Sequence, residues 1–261
     1  MMVDHNNTSA FISGGTQGLG MAVAEQLVRQ GCRRLTITGR TLKRGEAAAQ
    51  HLRDKGADCL FISCDVGKVE DCQSAMAAAI AHHGTVNALV NSAADTSRGS
   101  LVDTSAELFD AHMAINIRGP FFLMQGMVRH LLKEGAPGSI VNILSTSAHV
   151  GQSFLSAYST SKGGLITLTK NTANAYRSNL IRCNGIAPGW MDTPGEDVVQ
   201  KRFHDAPDDW LERAEAAVPM GQLAKPDQIA PLISYLLSPD SGIITGAIID
   251  YDQQVIGAVP E

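Results

Sequence analysis

Two hydrophobic periods alternate along the chain. Short β-rich runs stand at Ala10–Ile12, Arg34–Thr38, Leu60–Ile62, Ala88–Val90, Ile140–Ile143, Ile181–Ile186 and Ala247–Ile249. Between them lie longer segments with apolar residues at helical spacing, over Gly20–Gln30, Arg44–Lys55, Val69–His82, Glu107–Lys133, Ala157–Tyr176 and Pro226–Leu237. Strands alternating with helices build βαβ units with parallel strands and right-handed crossovers. The pattern predicts one doubly wound α/β domain over residues 1–261, a seven-stranded parallel sheet with helices on both faces. One stretch breaks the rhythm. From Pro188 to Met220 there is no strand pattern, but Pro194, Pro207, Pro219 and both tryptophans, Trp190 and Trp210. A long interruption inside a compact domain reads as a lid over a substrate site.

Composition narrows the class. The chain has 261 residues, 44% hydrophobic, with a net charge of only -5, so it is neither disordered nor a nucleic-acid binder by charge. No apolar run approaches the ~18 residues of a membrane span. The start, Met1-Met2-Val3-Asp4, is neither basic nor apolar, so no secretory signal is expected. Cys32, Cys59, Cys64, Cys72 and Cys183 form no C-x-x-C pair and read as reduced, packed thiols of a cytoplasmic protein.

The first strand runs into Ser13-Gly14-Gly15-Thr16-Gln17-Gly18-Leu19-Gly20 and then a helix. Glycines there allow a tight turn and close approach of a pyrophosphate, and the helix N-terminus supplies N–H groups and positive potential. The context of strand, glycine loop and helix points to a dinucleotide. The second strand ends Thr38-Gly39-Arg40. An acid at its end would favour NAD; glycine followed by a guanidinium favours the 2′-phosphate of NADP. Gln17 is neutral where a second cation would strengthen that preference, so NAD and dual use stay open.

Chemistry gathers further along. Tyr158 and Lys162 are four apart and share a helix face. A nearby ammonium favours the phenolate, so such a tyrosine can exchange a proton with an alcohol. Ser145 ends the predicted strand Ile140–Leu144, at the carboxyl edge of a parallel sheet, where ligands bind. Asn116 is an amide on an otherwise apolar helical stripe and needs a partner, for which a bound water is one candidate.

In this order the residues resemble the short-chain dehydrogenase/reductase family, whose members are single-domain Rossmann folds. The resemblance runs from Thr8 to about Asp252. It rests on Gly14, Gly18 and Gly20, Asp65-Val66, Asn91-Ser92-Ala93-Ala94, Asn116, Ser145, Tyr158, Lys162, and Pro188-Gly189 with Thr193. Two motifs depart from the family pattern: Ser13 stands where threonine is common, and Asn91-Ser92-Ala93-Ala94 stands where Asn-Asn-Ala-Gly is usual. The resemblance implies that Tyr158 is the general acid/base, that Lys162 holds the nicotinamide ribose and lowers the Tyr158 pKa, and that Ser145 orients the reacting oxygen. Asn116 would anchor a proton-relaying water. The cofactor, NADP or NAD, would be held by Gly14, Thr16, Gln17, Gly18, Leu19, Gly20, Arg40, Asp65, Val66, Asn91, Ala93, Tyr158, Lys162, Ile186, Pro188, Gly189 and Thr193. A homotetramer is implied too, and the apolar segment from Phe109 to Leu132 suits such contacts.

The substrate end is less explicit. Candidate contacts are Arg98, His149, Gln152, Trp190, His204 and Trp210, and no metal site is expected: His204-Asp205 and Asp208-Asp209 read as a helix cap before Trp210. His82-His83 reads as a solvated helix end. The mix of polar and aromatic groups suits a sugar or polyol, or, if Arg98 or a histidine faces the cleft, an anionic sugar such as sulfoquinovose. Oxidation of a cyclic sugar at C1 would give a lactone. The partner is then a small-molecule substrate, with neither nucleic acid nor membrane. The alternatives are a 3-oxoacyl-thioester reductase and a catalytically silent dinucleotide sensor on the same fold.

Overall fold

A computed structural model describes residues 3–258; Met1, Met2 and the last three residues, 259–261, lie outside it. The elements run β1 (Ser9–Ser13), α1 (Gly18–Arg29), β2 (Arg34–Gly39), α2 (Leu42–Asp54), β3 (Asp58–Ser63), α3 (Val69–His83), β4 (Ala88–Asn91) and α4 (Ala106–Met113). They continue with α5 (Gly119–Glu134), β5 (Gly138–Ile143), α6 (Ser156–Tyr176), β6 (Ile181–Pro188), α7 (Pro194–Phe203), α8 (Trp210–Ala217), α9 (Pro226–Leu237) and β7 (Ile248–Tyr251). The seven strands form one sheet in the order β3-β2-β1-β4-β5-β6-β7, and every pairing is parallel.

The strand residues explain the two layers. In β1, Ala10 and Ile12 point to one face and Phe11 to the other, as the two-residue period of a strand requires. The first face packs under α1, α2 and α9, through Val23, Leu27, Ala49, Leu52, Ile229 and Ile233. The second packs under α3, α5 and α6, through Met76, Ala79, Leu123, Met127, Leu131 and Ala173. Covered on both sides, the central strands are buried throughout, which is why they read as unbroken apolar runs. The chain reverses direction across the sheet between β1 and β4. At such a switch point the carboxyl ends of the strands leave a crevice.

Two expectations change. The single predicted helix over Glu107–Lys133 is α4 and α5 joined by a π-helical turn at Ala114–Arg118. Pro120 has no N–H to offer the Asn116 carbonyl, so a regular ladder cannot run through this point. The stretch after Pro188 adds no strand to the sheet, as its pattern implies, and holds two helices, α7 and α8, pinned back by a short bridge between Met191 and Ala224. His83 is also not solvated: it is buried while its neighbour His82 is exposed.

Candidate active site

The crevice at the carboxyl ends is a cleft of about 990 Å³, lined from the glycine loop at one end to α7 at the other. Its nucleotide end is shaped by backbone. Gly14 has φ +70°, and a Cβ there would stand 2.8 Å from the main chain of Ala93. A Cβ on Gly20 would stand 2.3 Å from the Gly14 carbonyl oxygen. Both positions exclude a side chain, leaving the loop open to a ligand and α1 aimed at it. Thr16, Gln17, Gly18, Leu19, Arg40, Asp65, Val66 and Ala93 line the cleft with Gly14, as the sequence predicts. A cradle that a Cβ would fill, with a helix N-terminus behind it, fits a dinucleotide.

Gly39 stands at the end of β2, where a Cβ would meet the Thr16 side-chain methyl at 2.8 Å, so a side chain there would have to displace Thr16. Arg44, on the first turn of α2, lines the cleft as Arg40 does. Its guanidinium donates to the Gln17 side-chain oxygen and, at 3.2 Å, to Thr41 Oγ1. Gln17 is therefore the seat of a second cation, which sequence spacing did not reveal.

Four expected cofactor contacts sit behind the wall instead of on it: Gly20, Asn91, Ile186 and Pro188. Asn91 is buried and donates from Nδ2 to Asn142 Oδ1 at 2.8 Å; Asn142 donates on to Thr169 Oγ1 at 2.9 Å. This amide chain ties β4 to β5 and α6. The Pro188 carbonyl accepts from Thr146 Oγ1 at 3.5 Å, fixing the exit of β6. Gly189 and Thr193 do line the cleft, and Thr193 Oγ1 caps α7 by accepting from the Glu196 N–H at 3.0 Å.

Mid-cleft, Ser145, Tyr158 and Lys162 converge. Ser145 Oγ accepts from the Ser147 N–H at 3.2 Å and from Ser147 Oγ at 2.9 Å, which leaves its own proton to donate. Burial pushes the Tyr158 hydroxyl up to about 12; a hydrogen bond with Ser145 and the Arg98 guanidinium pull it down, and Glu196 opposes them. Lys162 Nζ donates to the Ile143 carbonyl at 2.8 Å and lies 5.7 Å from the centre of the Tyr158 ring. Burial pushes its ammonium down to about 8.

Asn116 does not line the cleft. Its Oδ1 accepts from the Asp95 N–H at 2.9 Å, and its Nδ2 donates to the Asp95 carbonyl and to Ser161 Oγ, each at 3.0 Å. Ser161 Oγ in turn donates to the Tyr158 carbonyl at 2.6 Å. The side-chain amide thus braces both the loop after β4 and the turn that carries Tyr158. His112, unnoticed in the sequence, is buried against this cluster with its ring edge-on to Tyr158, 6.1 Å between centres.

At the substrate end Arg98, Gln152, Trp190 and His204 line the cleft as expected. His149 does not: it pairs with Asp250 at 3.2 Å, across the mouth of β7. Trp210 is buried behind the wall, stacked on Trp190 with 6.0 Å between centres, and its Nε1 donates to Asp197 at 2.8 Å. The Asp209 side chain does not cap α8 but pairs with Arg213 at 2.8 Å. Glu196, absent from the sequence-derived candidates, faces the cleft and pairs with Arg98 at 3.5 Å.

A family model described as "Enoyl-(Acyl carrier protein) reductase" matches residues 14–253. The chain belongs to the short-chain dehydrogenase/reductase family. As a member it is an NAD(P)-dependent oxidoreductase. It is 34% identical to a 2-(R)-hydroxypropyl-CoM dehydrogenase of Xanthobacter autotrophicus, over 93% of this chain and 96% of the relative. It is 30% identical to an L-rhamnose 1-dehydrogenase (NAD(P)(+)) of Azotobacter vinelandii, over 92% and 93%. Among solved structures, a variant of the actinorhodin polyketide ketoreductase with NADPH superposes with a TM-score of 0.88 at 26% identity, covering 95% of this chain and 97% of that one.

Proposed function

We propose that this short-chain dehydrogenase/reductase interconverts a secondary alcohol and a carbonyl on a sugar or polyol, with NADP preferred over NAD. The observation that carries the reading is the convergence of Tyr158, Lys162 and Ser145 in the cleft that the glycine loop opens. The residues around the glycine loop would hold the nicotinamide cofactor, which when bound would supply the hydride acceptor for oxidation or the hydride donor for reduction at the carbinol carbon. Ser145 Oγ donates a hydrogen bond to the substrate oxygen, keeping its own proton, and holds that oxygen against Tyr158. In oxidation Tyr158 Oη takes the hydroxyl proton; in reduction it gives that proton back. Lys162, anchored on the Ile143 carbonyl, brings a buried positive charge to the nicotinamide ribose and favours the phenolate as the proton leaves. Asn116 keeps Tyr158 and the loop after β4 in register.

Arg40 and Arg44 together support NADP: two guanidiniums on one wall suit a phosphate dianion, and Gly39 leaves no acid to hold the ribose hydroxyls of NAD. The substrate end supports a hydroxyl-rich compound. Ser145, Ser147, Gln152, Trp190, Glu196, Gln200 and His204 offer donors and acceptors around it, with Phe154 as an apolar wall. We read 188–220 as the lid, the five buried free thiols as those of a cytoplasmic protein, and the half-exposed Phe109 and Phe121 as faces of a homotetramer.

The test is reduced-nicotinamide absorbance with the purified protein against sugars, polyols, simple secondary alcohols and 3-oxoacyl thioesters, each with NADP and NAD. Oxidation of a sugar or polyol is expected, faster with NADP. Activity on acyl thioesters alone would replace this reading with a 3-oxoacyl-thioester reductase, the reading that the likeness to the polyketide ketoreductase supports.

A further inference from the structure

We propose that Glu196 and Arg98 form a subsite for one hydroxyl of the substrate near the reacting carbon, and that this subsite selects neutral polyhydroxylated compounds over their acids. The inference rests on the oxidoreductase reading above and names the substrate class more narrowly. Arg98 comes from the loop after β4 and Glu196 from the first turn of α7. Their side chains are only 14% and 15% exposed, on the cleft wall. Both line the same cleft as Tyr158.

The pair is held on every side but one. Glu196 Oε1 accepts from Trp190 Nε1 at 2.9 Å, from Gln200 Nε2 at 2.7 Å and from Arg98 Nη2 at 3.5 Å. Among the described residues, nothing donates to Oε2. Arg98 Nη1 donates to the Thr96 carbonyl at 2.9 Å, Nε to His204 Nε2 at 3.3 Å, and the guanidinium lies 5.7 Å from the centre of the Phe154 ring. The guanidinium still has N–H groups to spare, because it carries five donors. A fixed carboxylate oxygen without a donor therefore stands beside a fixed cation with donors left over.

A hydroxyl group matches that arrangement, since it gives one hydrogen bond and accepts another. A carboxylate or sulfonate does not. It has no hydrogen for Oε2, it meets the Glu196 charge in a partly desolvated wall, and it must displace Glu196 to reach Arg98. The sequence left an anionic sugar open on condition that Arg98 or a histidine faces the cleft. Arg98 and His204 both face it, but the Arg98 charge is matched by Glu196 and the His204 ring nitrogen is taken by Arg98 Nε.

The experiment titrates the NADPH-bound protein with D-glucose, D-sorbitol, their monodeoxy forms, D-glucuronate and D-gluconate, reading NADPH fluorescence. The tightest neutral ligand is expected to bind about 10-fold or more better than its acid, the weight of a hydrogen bond to a charged group. Glu196→Gln, which keeps an oxygen for Trp190 and Gln200, should erase that discrimination. It should weaken the neutral ligand while leaving one monodeoxy form unchanged. Arg98→Gln should weaken the same ligand and spare the same deoxy form. Tighter binding of the acids, equal losses for every deoxy form, or no binding of any neutral polyol would overturn the subsite. Oxidation of a simple secondary alcohol without polyol binding would overturn the subsite alone. Polyol binding that depends on Glu196 without any hydride transfer would overturn the oxidoreductase reading alone.

Discussion

The two ends of the cleft are built by different means. At the nucleotide end the wall is main chain: Gly14 and Gly20 are pressed against Ala93 and against each other, and α1 presents its N-terminus. At the substrate end the wall is side chain, held by the contacts of Glu196 with Arg98, Trp190 and Gln200. Backbone packing at these glycines leaves no room for a side chain and suits the pyrophosphate that NAD and NADP share. Side-chain packing can be exchanged residue by residue and decides which substrate enters. A family can thus keep one cofactor and vary its substrates.

The sharpest way to break the comparison is Gly14→Ala. The new Cβ meets the Ala93 main chain, and the position is left-handed. NADPH affinity should fall by about 100-fold or more, an energy of the size of a strained backbone position plus a lost phosphate contact, with circular dichroism unchanged. Wild-type affinity in that variant would mean the loop does not bind the nucleotide.

Next come the two guanidiniums. Arg40→Ala and Arg44→Ala should each weaken NADPH by about 10-fold and leave NADH nearly unchanged, as loss of one charge-assisted hydrogen bond predicts. Equal losses for both nucleotides would assign these residues to the adenine or to the fold.

Lys162 joins the two ends and should cost stability. Its ammonium is held down to about 8 from 10.5, so the folded chain binds fewer protons than the unfolded chain between those pH values. Stability should therefore rise as pH climbs from 8 toward 10.5. Tyr158, pushed up to about 12 from 10, works the other way and lowers stability between pH 10 and 12. Lys162→Met should abolish turnover yet raise the unfolding free energy at pH 7 by on the order of 3 kcal/mol, read by chemical denaturation. Loss of stability in that variant would show that the ammonium stabilises the fold.

The smallest effect belongs to His149, which pairs with Asp250 outside the cleft. His149→Ala should leave kcat/KM within about 2-fold, as for most surface substitutions. A large loss would return this residue to the substrate wall.

The same contrast decides what the sequence could disclose. The glycine loop, the strand-end Ser145 and the Tyr158–Lys162 pair are local patterns whose spacing has a geometric meaning, so they were legible. The strand segments were legible too, because burial on both faces leaves unbroken apolar runs. Glu196 was not legible: its partner Arg98 lies 98 residues earlier, and neither neighbourhood hints at the other. Arg44 reads as an ordinary helix cation until α2 brings it over Gln17. The π-helical turn was hidden for another reason. Pro120 signalled a break, but the apolar stripe through Phe109–Leu132 continues on both sides of it.

The central claim is that Tyr158 exchanges the proton while the rest of the cleft only positions. The most direct measurement is single-turnover hydride transfer by Tyr158→Phe, followed as reduced-nicotinamide absorbance, with NADPH affinity measured on the same sample. The account predicts unchanged affinity and a rate lower by about a thousandfold or more, within the range for removing a general acid/base. In the wild type, alcohol oxidation should rise with pH as the phenolate becomes available. A variant that turns over at the wild-type rate would contradict the account.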